Sequence, residues 1–222
     1  MLSCVDLAKI YVTERGEIEA IKGIDVEVRA GEFASIVGRS GSGKSSFLAM
    51  IGGLSRPSRG AVHIEDTDIW RLSDDRLAEF RNRRIGFVYQ FASLLPTLCI
   101  VDNVALPALL NAGPDAADPY ARAAATLDQF GLSDCMEAYP SELSAGEQRR
   151  AVIARALINA PALLLADEPT SDLDEETESR IMDAFRKLNR ERALTLIMVT
   201  HNLRLAEQTD RVIHISSGRI AS

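Results

Sequence analysis

No apolar run in the 222 residues reaches the ~18 that a membrane-spanning helix requires. The first residues lack the charged-then-apolar order of an export signal, because Asp6 and Lys9 interrupt it. Direct insertion into a bilayer is therefore not expected. Cysteine is scarce: Cys4, Cys99 and Cys135 are far apart and odd in number, with neither metal-ligand spacing nor a disulfide framework. Reduced thiols in a cytoplasmic compartment are the expectation. A basic surplus is also missing, since the net charge is −7, and that argues against a nucleic-acid partner. Internal repeats and low-complexity segments are absent too. What remains is a 46% hydrophobic, 26% charged chain, the composition of a globular protein with a substantial core.

Short apolar runs supply the organisation. FASIV (33–37), IGFVY (85–89), ALLLAD (162–167) and LTLIMVT (194–200) read as buried strands, each followed by turn or helix signals. Helical patterns such as RRAVIARALIN (149–159) and ETESRIMDAFRKLNRER (176–192) lie between them. The alternation predicts an α/β fold with a mostly parallel sheet. Residues 1–30 alternate more and turn at Glu14–Gly16, which predicts an antiparallel β layer. From Phe91 to about Asn159 strand signals fade, predicting a helical subdomain inserted into the core. The expected organisation is one domain, with 1–90 and 160–222 forming the α/β core and 91–159 the helical part.

Polar residues collect at the ends of those strands, where open parallel sheets place their sites. GRSGSGKS (38–45) fits G-x-x-x-x-G-K-[ST] between a strand and a helix. Glycines let consecutive backbone N–H groups close on phosphate oxygens, and the helix start adds its dipole. Gly38, Ser40, Gly41, Ser42, Gly43, Lys44, Ser45 and Ser46 are the expected polyphosphate contacts. Lys44 would reach the outer phosphates, and the Ser45 hydroxyl would ligate Mg²⁺. The bland alternative is a flexible turn. In LLLADEP (163–169), Asp167 is placed to hold Mg²⁺ through water and Glu168 to orient or deprotonate an attacking water. An acid pair opening a helix is the alternative there. LSAGEQRR (143–150) offers a second anion site through Ser144 and Gly146 at a helix start. It reads equally well as a Ser-capped helix with Glu147 completing a capping box.

Together these residues resemble the nucleotide-binding domain of ABC transporters over essentially the whole chain. The shared motifs run in order: Tyr11, GRSGSGKS, Gln90, LSAGE, LLLADE, SDLD (171–174) and His201. The resemblance implies an ATPase using ATP and Mg²⁺. Tyr11 would stack on adenine, Gln90 contact Mg²⁺ or water, Asp172 lie in the SDLD segment at the nucleotide, and His201 bond the γ-phosphate. It also implies that Ser144 and Gly146 close over ATP held by a second copy of the chain. IGGLSRPSRG (51–60), DNVALPALL (102–110) and YPSELSAGEQRRAVIARAL (139–157) are most similar to the lipoprotein-releasing, macrolide-efflux and cell-division group. That implies an export or mechanotransmission role, with a permease subunit docking near Phe91–Leu98 and holding the chain on the inner face of the cell membrane. FASLLPTL (91–98) is also readable as ordinary core. A cell-division ATPase controlling a cell-wall hydrolase is the runner-up, and a soluble ABC ATPase is more remote. The pattern departs at Ala145, where a second glycine is usual.

Overall fold

The computed structural model describes residues 1–14, 16–91, 93–110, 118–171 and 173–221. Two sheets organise them. β1 (Leu2–Thr13), β2 (Gly16–Val28), β4 (Arg59–Ile64) and β5 (Thr67–Asp68) form an antiparallel sheet in the order β2-β1-β4-β5. The second sheet uses β3 (Phe33–Val37), β6 (Ile85–Val88), β7 (Leu163–Asp167), β8 (Thr195–Val199), β9 (Arg211–Ser216) and β10 (Arg219–Ile220). Its order is β10-β9-β3-β8-β7-β6, parallel throughout except for β10.

The parallel sheet is covered on both faces, which explains why its strands read as unbroken apolar runs. Leu163 and Leu165 of β7 pack into one core, while Leu164 and Ala166 pack into the other. Ile197 and Val199 divide from Leu196 and Met198 of β8 in the same way. The first core contains α1 (Lys44–Ile51), whose Phe47, Leu48 and Met50 meet Leu2, Val62 and Ile64 of the antiparallel sheet. The second holds α5 (Ala145–Leu157) and α6 (Glu175–Arg192). Ile181, Met182, Phe185 and Leu188 recur at helical spacing and form the buried stripe of α6. Full burial of a side chain such as Phe185 stabilises the fold by about 1.5–3 kcal/mol.

Between residues 91 and 159 the described residues form α3 (Ile100–Leu109), α4 (Pro119–Gln129), α5 and short 3-10 turns, with no strand. Ile100, Val104 and Leu127 of this region share one hydrophobic cluster with Phe33, Leu164 and Phe185 of the α/β core. Among the described residues, this helical stretch therefore shares its core with the sheet. Helix α5 is the joint, and it lies unusually close to β6. A Cβ on Gly86 would stand 2.5 Å from the Ala156 carbonyl oxygen.

Asn103 on α3 is fully buried and arranges the chain ahead of it. Its Oδ1 accepts from the Leu95 N–H at 2.7 Å, and its Nδ2 donates toward the carbonyls of Leu95, Leu98 and Cys99. Asn103→Ala would orphan these buried groups, and the expected loss is about 2–4 kcal/mol of unfolding free energy. Urea denaturation measures it; a loss below about 0.5 kcal/mol, the surface-substitution range, would show that the amide is dispensable.

Candidate functional site

The carboxyl ends of β3, β7 and β8 converge on a cavity of about 480 Å³. Its lining includes Gly38, Ser40, Gly41, Gly43, Lys44, Ser45 and Ser46 from the glycine loop, with Gln90, Asp167, Glu168 and His201. Residues spread over 164 positions of sequence thus meet in one place.

Backbone geometry explains two of the loop glycines. Gly43 has φ +105° and caps α1, and a Cβ there would stand 2.5 Å from the Ala20 carbonyl oxygen on β2. At Gly38 a Cβ would stand 2.2 Å from the Ile215 carbonyl oxygen and 2.7 Å from Ser42 Oγ. The antiparallel sheet and β9 therefore form the back of the loop, also tied by the Gly218 N–H donating to the Ser42 carbonyl at 3.0 Å. Ser42 itself is buried, and its Oγ has no hydrogen-bond partner among the described residues.

Lys44 folds over the loop, with Nζ donating to the carbonyls of Gly38 at 2.8 Å and Arg39 at 3.1 Å. The Ser45 hydroxyl stands beside the Asp167 carboxyl. Burial pushes the Asp167 carboxyl above its ordinary range and the neighbouring Glu168 charge adds to this, while Ser45 and Lys44 oppose it. A cation bound there would offset the cost of keeping the carboxylate charged. A hydroxyl beside one carboxylate is the sparse oxygen set that Mg²⁺ takes when phosphates complete its shell. Among the described residues no three His, Cys, Asp or Glu side chains cluster to cage an ion unaided. The donors present fit a magnesium–polyphosphate pair.

Glu168 is held with unusual definition. Its φ of +46° is a left-handed conformation that costs a non-glycine residue energy and recurs at functional sites. The Glu168 N–H donates to the Val199 carbonyl at 2.9 Å, and its own carbonyl accepts from the Ser171 hydroxyl at 3.0 Å. Oε2 lies 2.9 Å from His201 Nδ1, so the imidazole reaches the acid from just beyond β8. The His201 side chain stays 73% exposed, leaving it accessible to a ligand.

Tyr11, Ser144 and Gly146, also singled out in the sequence, lie outside this lining. The Tyr11 hydroxyl donates to Ser46 Oγ at 3.2 Å, and Lys9 Nζ sits 5.1 Å from the tyrosine ring centre. Tyr11 thereby stands next to the loop and remains 39% exposed. Ser144 and Gly146 do not line the cavity. Ser144 caps α5 in a full capping box: its Oγ donates to Glu147 Oε2 at 2.7 Å and accepts from the Glu147 N–H at 3.3 Å. The Ser144 hydroxyl bond, with a second from the Ser144 N–H to Glu147 Oε2 at 2.8 Å, holds the Glu147 carboxyl below its ordinary range. Both sequence readings of this stretch are thus compatible, since a capped helix start also presents an anion-binding end. Asp172 lies outside the described residues.

Two features escaped sequence reasoning. Buried Arg149 on α5 donates to the carbonyls of Tyr89 and Gln90, both at 2.6 Å. A separate cavity of about 520 Å³ is lined by Gly52, Leu54, Arg81, Phe87, Tyr89 and Leu110, among others. The Phe87 and Tyr89 rings stack there with centres 4.5 Å apart. Its lining includes the exposed apolar side chains of Leu54, Tyr89 and Leu110, and exposure cannot be read from residue types.

A glycine cradle with its lysine, an acid-terminated strand and a histidine-linked glutamate, all on a doubly covered parallel sheet, define a nucleoside-triphosphate-hydrolysing fold of the P-loop class. Within that class the chain belongs to the ABC transporter family, whose profile matches residues 21–171. It is 44% identical to an ABC transporter ATP-binding protein of Thermotoga maritima, over 99% of this chain and 93% of that one. It is 42% identical to the lipoprotein-releasing system ATP-binding protein LolD of Geobacter metallireducens, over 100% of this chain and 98% of the relative. The ATP-binding cassette MJ0796, solved as a dimer in a post-hydrolysis state bound to ADP and Pi, superposes with a TM-score of 0.93 at 36% identity. That match covers 100% of this chain and 97% of the other. The protein is accordingly an ATP-binding ABC transporter subunit and an ATPase.

Proposed function

We propose that the chain powers a membrane transporter of the lipoprotein-releasing type, using ATP and Mg²⁺ to drive closure of two copies against permease subunits. The observation that carries the catalytic part is the 2.9 Å contact between His201 and Glu168 in the cavity that also holds Lys44 and Asp167. Lys44 would leave the loop carbonyls for the outer phosphates, with Gly38, Ser40, Gly41, Ser42, Gly43 and Ser46 around the remaining oxygens. Ser45, Gln90 and, through water, Asp167 would hold Mg²⁺, which supplies charge neutralisation when bound. Glu168 would take the proton from the attacking water while His201 fixes its orientation and contacts the γ-phosphate. Tyr11 would stack on the adenine once the Lys9 ammonium leaves its ring, and Asp172, in the SDLD segment, is among the proposed nucleotide contacts.

Ser144 and Gly146 stand away from the cavity of their own chain, which supports their acting on nucleotide held by the second copy. The helical residues 91–159 then work as a lever within the single domain. A permease segment would dock at Phe91–Leu98, where Phe91 is 75% exposed, and extend into the cavity that Tyr89 shares. No helix among the described residues is long and apolar enough to cross a membrane. Placement on the inner membrane face would therefore come from the permease. Relatives named for lipoprotein release favour transport over the cell-division and soluble readings.

The test is an affinity capture of the full chain from detergent-solubilised membranes, followed by an ATPase assay on what co-purifies. A co-purifying permease with a large extracytoplasmic domain, raising ATP turnover, is the expected result. ATPase activity with no membrane partner at all would overturn the transport reading while leaving the catalytic one.

A further inference from the structure

Helix α5 holds the loop after β6 with two guanidinium forks. Arg155 donates to the Ser93 carbonyl at 2.8 Å and to Ser93 Oγ at 2.6 Å near the exposed end. Arg149, 6% exposed and one turn from Ser144, takes the consecutive carbonyls of Tyr89 and Gln90. Those carbonyls follow directly on β6, the edge strand of its sheet, and no described strand lies beyond it to bind them. A planar fork suits two adjacent carbonyls as a lysine ammonium does not. Three parts therefore meet at one side chain. They are the helix start bearing Ser144, the residue whose side chain lines the phosphate cavity, and Tyr89, whose ring lines the separate cavity of about 520 Å³.

We propose that Arg149 is a positioning residue that makes the movement of the Ser144 end of α5 and the engagement of Gln90 a single event. The inference rests on the roles proposed above for Ser144 and Gln90. If α5 tilts to bring Ser144 against nucleotide on the second copy, the fork carries the Gln90 backbone with it. If a partner displaces Tyr89, the same fork reports the displacement to α5. Arg149 touches no reacting atom in this scheme and acts only through its hold on the loop.

The test uses the full chain carrying Arg149→Lys or Arg149→Gln, alone and combined with Gln90→Ala. Nucleotide affinity of the isolated chain should stay within about twofold, because the phosphate loop is untouched. The turnover number should fall on the order of tenfold to a hundredfold, as for a misplaced but intact catalytic group. The dependence on ATP concentration should also lose sigmoidicity. In the Gln90→Ala background, adding Arg149→Lys should change turnover by less than about twofold, because coupled residues are non-additive. Full additivity would overturn the link alone. If Gln90→Ala by itself leaves turnover intact, both the link and the assigned role of Gln90 fall. Hydrogen exchange on the unsubstituted chain gives a measurement that needs no arginine variant to fold. Amides 89–91 and 144–149 should gain protection together on nucleotide binding, and independent changes would overturn the coupling.

Discussion

Glu168→Gln should bind ATP as tightly as the unsubstituted protein, yet hydrolyse it on the order of 10² to 10⁴ times more slowly, the usual contribution of a positioned general base. The substitution preserves shape. A glutamine tolerates the same φ of +46° no worse than a glutamate, and its amide oxygen can still meet His201. What disappears is the capacity to accept a proton. With hydrolysis blocked and binding intact, ATP should accumulate between two copies, so size-exclusion chromatography with ATP should show a stable dimer. Single-turnover kinetics check the first expectation and chromatography the second. Ordinary turnover in this variant would remove Glu168 as the base and leave its strained backbone without a catalytic explanation.

Lys44→Ala attacks the preceding step. The ammonium now rests on the Gly38 and Arg39 carbonyls, bonds it can exchange for stronger ones to phosphate. Losing those charge-assisted bonds should cost about 3 kcal/mol of binding, on the order of a hundredfold in affinity. Alanine suits the first position of α1, so the fold should survive. Titration of a fluorescent ATP analogue, with circular dichroism as control, measures the effect. Unchanged affinity would move the phosphate site elsewhere.

The strands that carry the site were legible because both faces of the parallel sheet are covered. FASIV coincides with β3, and the runs ending at Asp167 and at Thr200 coincide with β7 and β8 to within a residue at each end. β4 and β9 were missed for the opposite reason. Each is half-buried, and Arg59, His63, Arg211 and His214 dilute its apolar alternation. Loop, acids and histidine could be read because each carries its chemistry in a short stretch. Arg149 could not. A basic residue in an amphipathic helix normally faces solvent, and its burial depends on two carbonyls about 60 residues away. The positive φ of Glu168 left no trace in residue types either.

The seam between Gly86 and Ala156 has a consequence for how this chain can change over generations. With the Ala156 carbonyl 2.5 Å from where a Gly86 methyl would stand, backbone rather than a flexible side chain blocks growth there. A single added carbon would have to be absorbed by displacing α5, and with it the hydroxyl of Ser144 and the fork of Arg149. Selection on turnover is thereby felt at a glycine that touches neither nucleotide nor partner. Drift at this seam is confined to paired exchanges that leave the helix where it lies.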